Sequence, residues 1–579
     1  MENGTPHTRG EQHSGERPSA SLGQMPALML MISVLMISVL GLATAAHASG
    51  SSAQLPPMIL PGSASASSGD AAASTSERWI IGARPGAASK RIAAAAGAQP
   101  VGGPEGIYSI DPDRAERFAD RLQRAGALVF AEPDVPMLPA GYPAEVNGES
   151  QWWLNRIINT VETTPPPVTP NSPGLGLVEE SLDPLHPDLA EANLEGALSI
   201  GPVEDSHGTS IAAIAGSPAE RSSVGGQNIV GVWPGMNMTL FPSGNTCLSA
   251  TKAVLQAAKA RVPVINMSYG FARTDCFSHY VATETAVRAG VLPIASAGNT
   301  FSDGGNLAMR PAFDPHVISV SAVDRADLIA PFATRNSKVD ITAPGDGLFA
   351  PVVQLSGTGD GTALIDRTWS EIRGTSFSAP MVAAAATWLS QARPGLDDRQ
   401  IGRVLTGSAT DLGTPGRDSA YGEGLLNVDA ALAAKSPPAD PREPNDDITW
   451  INGSLLTKAS GDVWKPSLRK KRAWVNATLS LNKDAADVYP VRLAPRSRML
   501  IKVAQLQGDV TLRVFRPTAQ TITRTGNKVL VRSDRVRPKT EGVLVKNSKG
   551  QAQVVYVAIT PSSRQSDEYM RYRVSVVRR

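Results

Sequence analysis

One histidine and one serine stand in short motifs that could carry nucleophilic catalysis. His207 lies in the run DSHGT at residues 205–209, and Ser376 lies in the run GTSFSAP at residues 374–380. A serine hydroxyl is a weak nucleophile until a neighbouring base takes its proton, and histidine is the usual base. Singly, each motif has a structural alternative, because a serine at a helix start is often a cap. Together they predict an activated serine.

A third run, PIASAGN at residues 293–299, ends a predicted strand with Gly298 and Asn299. An acyl-transfer site needs preorganised donors where negative charge develops on the carbonyl oxygen. The side-chain amide of Asn299 is a candidate donor. The alternative is an asparagine that only shapes a turn.

These runs resemble the motifs of the subtilisin family of serine peptidases. The segments 207–209 and 374–380 match the family's histidine and serine motifs, and 297–299 matches its oxyanion asparagine. The run NMSYG at 266–270 resembles the substrate-binding strand, and VDITAPG at 339–345 resembles another family landmark. The order and spacing of the motifs agree over residues 151–432.

The resemblance implies a fold, an activity and roles for residues. It implies an α/β fold with a subtilisin-like parallel sheet flanked by helices, and an endopeptidase in which His207 activates Ser376. Asn299 and the Ser376 backbone N–H would bind the oxyanion. An extended substrate would pair with the backbone of Ser268, Tyr269 and Gly270, as a strand added to an edge.

The third member of the predicted triad departs from the family pattern. Aligned on the run HPDL at 186–189, the usual aspartate position holds Glu179 and the following glycine is Ser181. Glutamate can do the same work, because the acid only has to accept the histidine N–H and stabilise the imidazolium. Asp183 is the alternative acid. A lost acid, and so an impaired enzyme, is the other interpretation.

The elements between residues 177 and 432 predict a parallel sheet. Apolar runs at 229–232, 262–266 and 291–295 alternate with alanine-rich helical stretches at 250–260 and 280–289. Alternation of strands and helices is typical of parallel sheets covered by helices.

The flanking segments predict two further folded parts. Residues 78–140 combine a strand at 78–81, a helical pattern at 115–122 and a strand at 127–130, and resemble the family's inhibitor-type propeptide, a small α+β unit. Near the C-terminus, period-two runs predict an antiparallel β-sandwich-like domain. This part resembles, more loosely, the pre-peptidase C-terminal domain of bacterial peptidases, with a generic β-domain as the alternative.

The resulting domain organisation has six predicted parts. They are a signal peptide at 1–48, a flexible Ser/Ala/Gly tether at 49–77, the propeptide at 78–140, the catalytic domain at 141–436, a linker at 437–447 and a basic β-domain at 448–579.

The N-terminus and the cysteines indicate export. A basic start, an apolar run at 25–45 and an AHA site at 46–48 are typical of a cleaved secretory signal, with a membrane anchor as the alternative. The two cysteines, Cys247 and Cys276, then predict one disulfide, free thiols being the alternative. We therefore expect a secreted protein.

Charge is distributed unevenly along the chain. Residues 436–579 contain 27 Lys and Arg against 12 Asp and Glu, a net of +15, although the whole chain has only +2. A basic module favours an anionic polymer or cell surface as a partner, and a solvated basic surface is the alternative. The other expected partners are protein or peptide substrates and the chain's own propeptide as inhibitor. No nucleic-acid function is expected.

No cofactor is required by the predicted chemistry, and no metal ligand is assigned. The family commonly carries structural calcium, and Asp188 stands where one ligand would lie, but the segment 216–227 does not resemble the usual ion-binding loop. Two functions stay open at this point. One is a secreted serine endopeptidase that matures itself, and the other is a catalytically impaired binding or adhesion protein on the same fold.

Overall fold

The structure is a computed structural model and describes most of the chain beyond residue 77. The described residues are 78–84, 86–100, 106–133, 151–158, 163–196, 206–219, 228–272, 276–306, 309–357, 363–440, 442–452, 472–523, 528–533, 540–564 and 568–579. The predicted signal peptide and tether lie outside them. The chain forms two compact units, Met1–Pro136 and Met137–Arg579.

The first unit is a four-stranded antiparallel sheet with two helices. Its elements are β1 (Trp79–Ala83), α1 (Ala87–Ala96), β2 (Gln99–Pro100), β3 (Ile107–Ile110), α2 (Pro112–Arg124) and β4 (Leu128–Pro133), with the strands in the order β2-β3-β1-β4. Proline at the first position of α2 suits a helix start, because its missing N–H has no partner there anyway. The predicted helical pattern is confirmed: Ala115, Phe118, Ala119 and Leu122 are buried.

The second unit contains an α/β region (residues 151–434) built on a seven-stranded parallel sheet. The strands are β5 (Leu175–Glu179), β6 (Leu194–Gly196), β7 (Met238–Pro242), β8 (Val264–Met267), β10 (Leu292–Ser296), β12 (Ile318–Val323) and β13 (Ile341–Pro344), in the order β13-β12-β10-β8-β5-β7-β6. The central strands are buried along their whole length, as expected for a sheet covered on both faces. The predicted fold class is thus confirmed.

Helices cover this sheet, and two strand pairs form separate two-stranded sheets. The helices are α3 (Trp152–Ile157), α4 (His207–Gly216), α5 (Cys247–Ala260), α6 (Phe277–Arg288), α7 (Thr375–Ala392), α8 (Asp398–Gly407) and α9 (Val428–Ala433). The added strands are β9 (Phe271–Ala272), paired with β11 (Met309–Arg310), and β14 (Asp346–Gly357), paired with β15 (Ala363–Arg373). The alanine-rich helices α4 and α7 are almost fully buried, since small side chains allow close packing.

The predicted strand at 229–232 is wrong. This run is buried but forms no strand. The Gly231 N–H donates to the Ser217 carbonyl at 3.0 Å and the Val232 N–H donates to the Ile214 carbonyl at 3.0 Å. A Cβ on Gly231 would lie 2.5 Å from the Gly216 nitrogen, so close backbone contact replaces pairing there. The strand in this part of the chain is β7, which follows a few residues later.

The C-terminal part is a β-sandwich (residues 472–579) of two four-stranded antiparallel sheets. One sheet holds β16 (Arg472–Ser480), β23 (Tyr569–Arg578), β18 (Ser497–Gln507) and β21 (Thr540–Asn547), and the other holds β17 (Asp487–Leu493), β22 (Gln553–Pro561), β19 (Val510–Phe515) and β20 (Val529–Ser533). A short helix, α10 (Ile448–Ile451), precedes them. Alternate residues of β19 and β23 fill the core, as the period-two pattern predicts.

Within the part of the chain that the structure describes, no helix is both long enough and apolar enough to cross a bilayer.

Candidate active site

Ser376 lies at the start of α7, in a geometry that its own motif produces. Gly374 is the N-cap with φ of 152°, a value that favours glycine. Pro380 stands four residues after Ser376 and has no N–H, so the Ser376 carbonyl lacks its usual helical donor. The Ser268 hydroxyl donates to that carbonyl at 2.7 Å instead. The proline of the motif thus creates an acceptor that ties the helix start to the segment after β8.

The Ser376 hydroxyl points back at the same segment. It donates to the Ser268 carbonyl at 3.2 Å, and the Ser376 side chain is only partly buried. Ser376 and the segment 268–270 are therefore in direct contact, through two hydrogen bonds in opposite directions.

His207 opens α4 and meets Glu179 at the end of β5. The His207 Nδ1–H donates to Glu179 Oε2 at 3.0 Å, and the glutamate side chain is almost fully buried. The His207 ring centroid lies 5.5 Å from that of Phe377, the residue after Ser376. Gly208 permits this approach, because a Cβ there would lie 2.0 Å from the Ser181 carbonyl oxygen.

Asp183, the alternative acid, has other partners. Its carboxylate accepts from Arg367 Nε at 2.7 Å and from the Leu185 N–H at 3.0 Å. The structure therefore brings Glu179, and not Asp183, to the histidine.

Asn266 links the acid to the serine side of the site and was not assigned a role from the sequence. Its Nδ2 donates to Ser268 Oγ at 3.0 Å and approaches Glu179 Oε1 at 3.4 Å. The side chain is fully buried at the end of β8. A polar residue inside an otherwise apolar strand was the available signal.

Asn299 follows β10 and faces the start of α7. Its Oδ1 accepts from both the backbone N–H and the hydroxyl of Thr375, each at 2.9 Å. A backbone N–H can only donate, so the oxygen must face Thr375 and the Nδ2 must face the other way. A Cβ on Gly374 would lie 3.4 Å from that Nδ2, so glycine keeps the space beside the amide open.

Tyr269 and Gly270 continue the segment after Ser268, but the tyrosine side chain is turned inward. Its hydroxyl is 2.8 Å from His279 Nε2, and its ring meets those of Phe271 and His279 edge to face. Burial raises the pKa of Tyr269, with a smaller contribution from the Glu179 charge. Only the backbone of these residues is available for pairing with a peptide, and Gly270 is exposed.

The predicted disulfide is present. Cys247 begins α5 and Cys276 is the N-cap of α6, and their sulfur atoms are bonded. The bridge joins the N-terminal ends of two neighbouring helices whose intervening chain carries Ser268 to Gly270.

Asp188, where one calcium ligand is expected from the resemblance, has a protein partner in the structure. Its carboxylate is fully buried, and Oδ2 accepts from the indole N–H of Trp369 at 2.7 Å. Trp369 belongs to the β14–β15 hairpin, and its ring packs edge to face on His186. A residue of this hairpin thus satisfies one oxygen of the carboxylate. The expected loop at 220–227 lies outside the described residues.

These polar groups lie at the carboxyl edge of a parallel sheet flanked by helices. The chain belongs to the subtilase family. That family's model matches residues 176–424. Subtilisin of Bacillus pumilus is 31% identical over 270 residues, which cover 44% of this chain and 90% of that protein. Subtilisin Savinase of Lederbergia lenta is 31% identical over 257 residues, 42% of this chain and 86% of that protein.

Other relatives align with this chain over a different share of their own length. Subtilisin E of Bacillus subtilis (strain 168) is 30% identical over 270 residues, but these make up only 65% of that protein. Among solved structures, fervidolysin from Fervidobacterium pennivorans, a keratinolytic enzyme related to subtilisin, aligns with 83% of this chain and 92% of its own at 16% identity and a TM-score of 0.41. The assignment to the family rests on the sequence relatives.

Proposed function

We propose that this chain is a serine endopeptidase that forms an acyl-enzyme on Ser376, with Glu179 as the acid of its triad. The observation that carries the proposal is the 3.0 Å contact between Glu179 Oε2 and His207 Nδ1, made by a residue one methylene longer than the family's aspartate. The contact with Asn266 supports the second carboxylate oxygen, so the longer side chain is held in place from two sides.

Each group has one task in the proposed reaction. With Nδ1–H donated to Glu179, the Nε2 of His207 is the basic nitrogen that takes the proton of Ser376 as its oxygen attacks the peptide carbonyl. Asn299 Nδ2 and the Ser376 N–H at the helix start bind the oxyanion. His207 then protonates the leaving amine. Water next attacks the acyl-enzyme while His207 takes its proton, and His207 returns that proton to the Ser376 oxygen as the ester bond breaks.

A labelling experiment tests this activity against the impaired-enzyme alternative. We expect a fluorophosphonate probe to form one adduct on the matured protein, located on Ser376 by peptide mass mapping. Ser376→Ala should abolish labelling, whereas the control Ser302→Ala, at an exposed position, should leave it unchanged. Absence of an adduct in matured protein would favour a binding or adhesion protein on the subtilase fold.

We also propose that the protein is secreted and removes its own propeptide. The domain boundaries predicted from the sequence are part of this proposal. The cut is expected near Ala140 and Gly141, between Asp134 and Gln151, in a segment outside the described residues. Prolines at 136, 139 and 143 disfavour helix there and so suit an extended substrate. N-terminal sequencing of the mature protein gives the bond, and purified Ser376→Ala should remain uncut.

The β-sandwich is proposed to bind an anionic polymer. Trp474 is 56% exposed on β16. The guanidinium of Arg573 lies 4.8 Å from the centre of its ring, and Arg472 is exposed on the same strand. An exposed aromatic ring beside guanidinium groups supports such a surface.

A further inference from the structure

Acidic side chains and one histidine are buried together where the α/β region meets the β-sandwich. We call this group the junction cluster. Its members are Glu284, His316, Asp440, Glu443, Asp446, Asp484 and Asp487. Two of them come from the α/β region, three from the segment that was predicted as a linker, and two from the start of the β-sandwich.

His316 is held in the way that proteins hold a metal-binding histidine. Its Nδ1–H donates to Glu284 Oε2 at 2.9 Å, which fixes the ring and its tautomer. Its Nε2 is buried without a hydrogen-bond partner and lies 3.4 Å from Glu443 Oε2 and 3.8 Å from Asp446 Oδ2. Two carboxylates that face one ring nitrogen need a positive charge, which a proton on Nε2 or a cation bound in its place would supply.

Several carboxylates of the cluster have a hydrogen-bond donor for one oxygen only. Asp440 Oδ2 accepts from the Thr478 N–H at 2.8 Å, and Glu443 Oε2 accepts from the Asn445 N–H at 2.9 Å. Asp487 Oδ2 accepts from the Tyr572 hydroxyl. The other oxygen of each is buried with no partner, and so are both oxygens of Asp446 and Oδ1 of Asp484. Buried polar atoms are rarely left in this state unless a ligand satisfies them.

The spacing of these atoms suits one ion. One ligand atom from each of His316, Glu443, Asp446 and Asp484 lies within 4.8 Å of the others, and the same holds for Asp440, Glu443 and Asp487. Ligands about 2.0–2.6 Å from a common cation are separated by such distances. Glu443 belongs to both sets and would bridge them.

His316 is the basic side chain that pairs with the acids of the cluster. Among the described residues, no lysine or arginine forms an ion pair with Asp440, Glu443, Asp446, Asp484 or Asp487. Lys483 is nearby but donates to the carbonyls of Ala312 and Val317.

We propose that the junction cluster binds a divalent cation through His316 Nε2, Glu443, Asp446 and Asp484, and that this ion joins the α/β region to the β-sandwich. One imidazole among carboxylates favours Mn²⁺ or Zn²⁺, while the all-oxygen set around Glu443 also suits Ca²⁺. A cavity of about 110 Å³ between the two parts is lined by His316, Asp440 and Asp484 and gives an ion access.

The experiment uses the full chain with Ser376→Ala, so that self-digestion does not interfere. The protein is stripped with a chelator, then equilibrated separately with Mn²⁺, Zn²⁺ and Ca²⁺, and the bound metal and the unfolding midpoint are measured. We expect at least one ion per chain for one of the three metals. The midpoint should rise by about 2–3 °C when the metal is at a hundredfold excess over its Kd.

Three variants locate the ion. Asp446→Asn and Asp484→Asn should weaken binding at least tenfold and remove the metal-dependent shift. Without metal, these two variants should be no less stable than their parent, because each replaces a buried carboxyl group of which at least one oxygen has no hydrogen-bond donor. His316→Gln should weaken binding of Mn²⁺ or Zn²⁺ in the same way. Glu195→Gln, at an exposed position, is the matched control and should behave as the parent.

Several outcomes would overturn the proposal. One is a stripped chain that binds none of the three metals. Another is binding that Asp446→Asn and Asp484→Asn leave unchanged, which would place the ion elsewhere. Lower stability of both variants in the absence of metal would show that protein groups already satisfy these carboxylates. If His316→Gln leaves metal binding unchanged, His316 is not a ligand, and the ion does not join the α/β region to the β-sandwich.

Discussion

The candidate active site and the junction cluster are both buried around carboxylates, but they satisfy them differently. Both oxygens of Glu179 face side-chain N–H groups, from His207 and Asn266. In the junction cluster, Asp446 has no hydrogen-bond donor for either oxygen. The first arrangement is complete with protein groups alone, whereas for the second we propose a cation from outside the chain. Buried acids therefore indicate different roles, depending on which donors surround them.

Replacing the triad acid should give the largest effect. Glu179→Gln keeps the shape of the side chain but turns an N–H toward His207, which would hold the wrong tautomer. We expect kcat to fall by about ten-thousandfold with little change in unfolding midpoint. Steady-state kinetics on a peptide library and thermal unfolding measure the two effects.

Asp183→Asn is the control for that prediction. Asp183 is equally buried but pairs with Arg367, so its loss should lower stability by about 1–3 kcal/mol and leave kcat within tenfold. If Asp183→Asn impairs catalysis and Glu179→Gln does not, the assignment of the acid is wrong.

Asn299→Asp tests the donor function of the Asn299 amide separately from its acceptor function. Aspartate keeps the acceptor for the Thr375 N–H and hydroxyl but removes the Nδ2 donor. We expect kcat to fall by about 10²–10³-fold while KM and the unfolding midpoint change little. A large loss of stability with intact turnover would instead make Asn299 a turn residue.

The contact between Tyr269 and His279 predicts a dependence of stability on pH. Burial, with a smaller effect of the Arg310 charge, lowers the pKa of His279 to about 4. Between pH 6.5 and 4 the unfolded chain takes up a proton that the folded chain does not, so stability falls as pH falls through this window. The loss is about 3 kcal/mol at about 1.4 kcal/mol per pKa unit.

Denaturant unfolding at pH 7.5 and 4.5 measures that loss. In His279→Gln, which cannot titrate, the difference in unfolding free energy between the two pH values should be smaller than in the parent by about this amount. Parallel pH dependences of the two proteins would contradict the assignment.

The smallest effect is expected at the basic surface of the β-sandwich. We expect the full chain with Ser376→Ala to bind heparin or another anionic polymer, and Trp474→Ala to weaken that binding a few-fold. Binding should fall steeply with salt, because charge attraction is screened over about 8 Å at physiological ionic strength. Binding that is insensitive to salt, or absent, would leave only a solvated basic surface.

The sequence was sufficient for the parts that have a local signature. The motifs around His207 and Ser376 and the alternation of strands and helices predict the parallel sheet, and the period-two runs predict the sandwich. In the structure, the predicted residues Glu179, His207, Ser268, Asn299 and Ser376 lie together. Their catalytic roles stay predictions.

The rest depends on contacts between distant residues. The segment at 437–447 has the composition of a solvated linker, yet Asp440, Glu443 and Asn445 are buried, because the α/β region and the β-sandwich close over them. Likewise, Ile229–Val232 has the composition of a strand but packs its backbone against Gly216. Composition indicates which groups prefer to be buried, but not which distant surfaces will cover them.

The β14–β15 hairpin limits how the chain can change in length. Arg367 and Trp369 are two residues apart on β15, so both lie on the face that contacts Asp183 and Asp188. Deleting one residue between Trp369 and the base of the hairpin would turn both side chains to the opposite face. Homologous chains can therefore lengthen or shorten this hairpin freely at its tip, but near Ser376 only in steps of two.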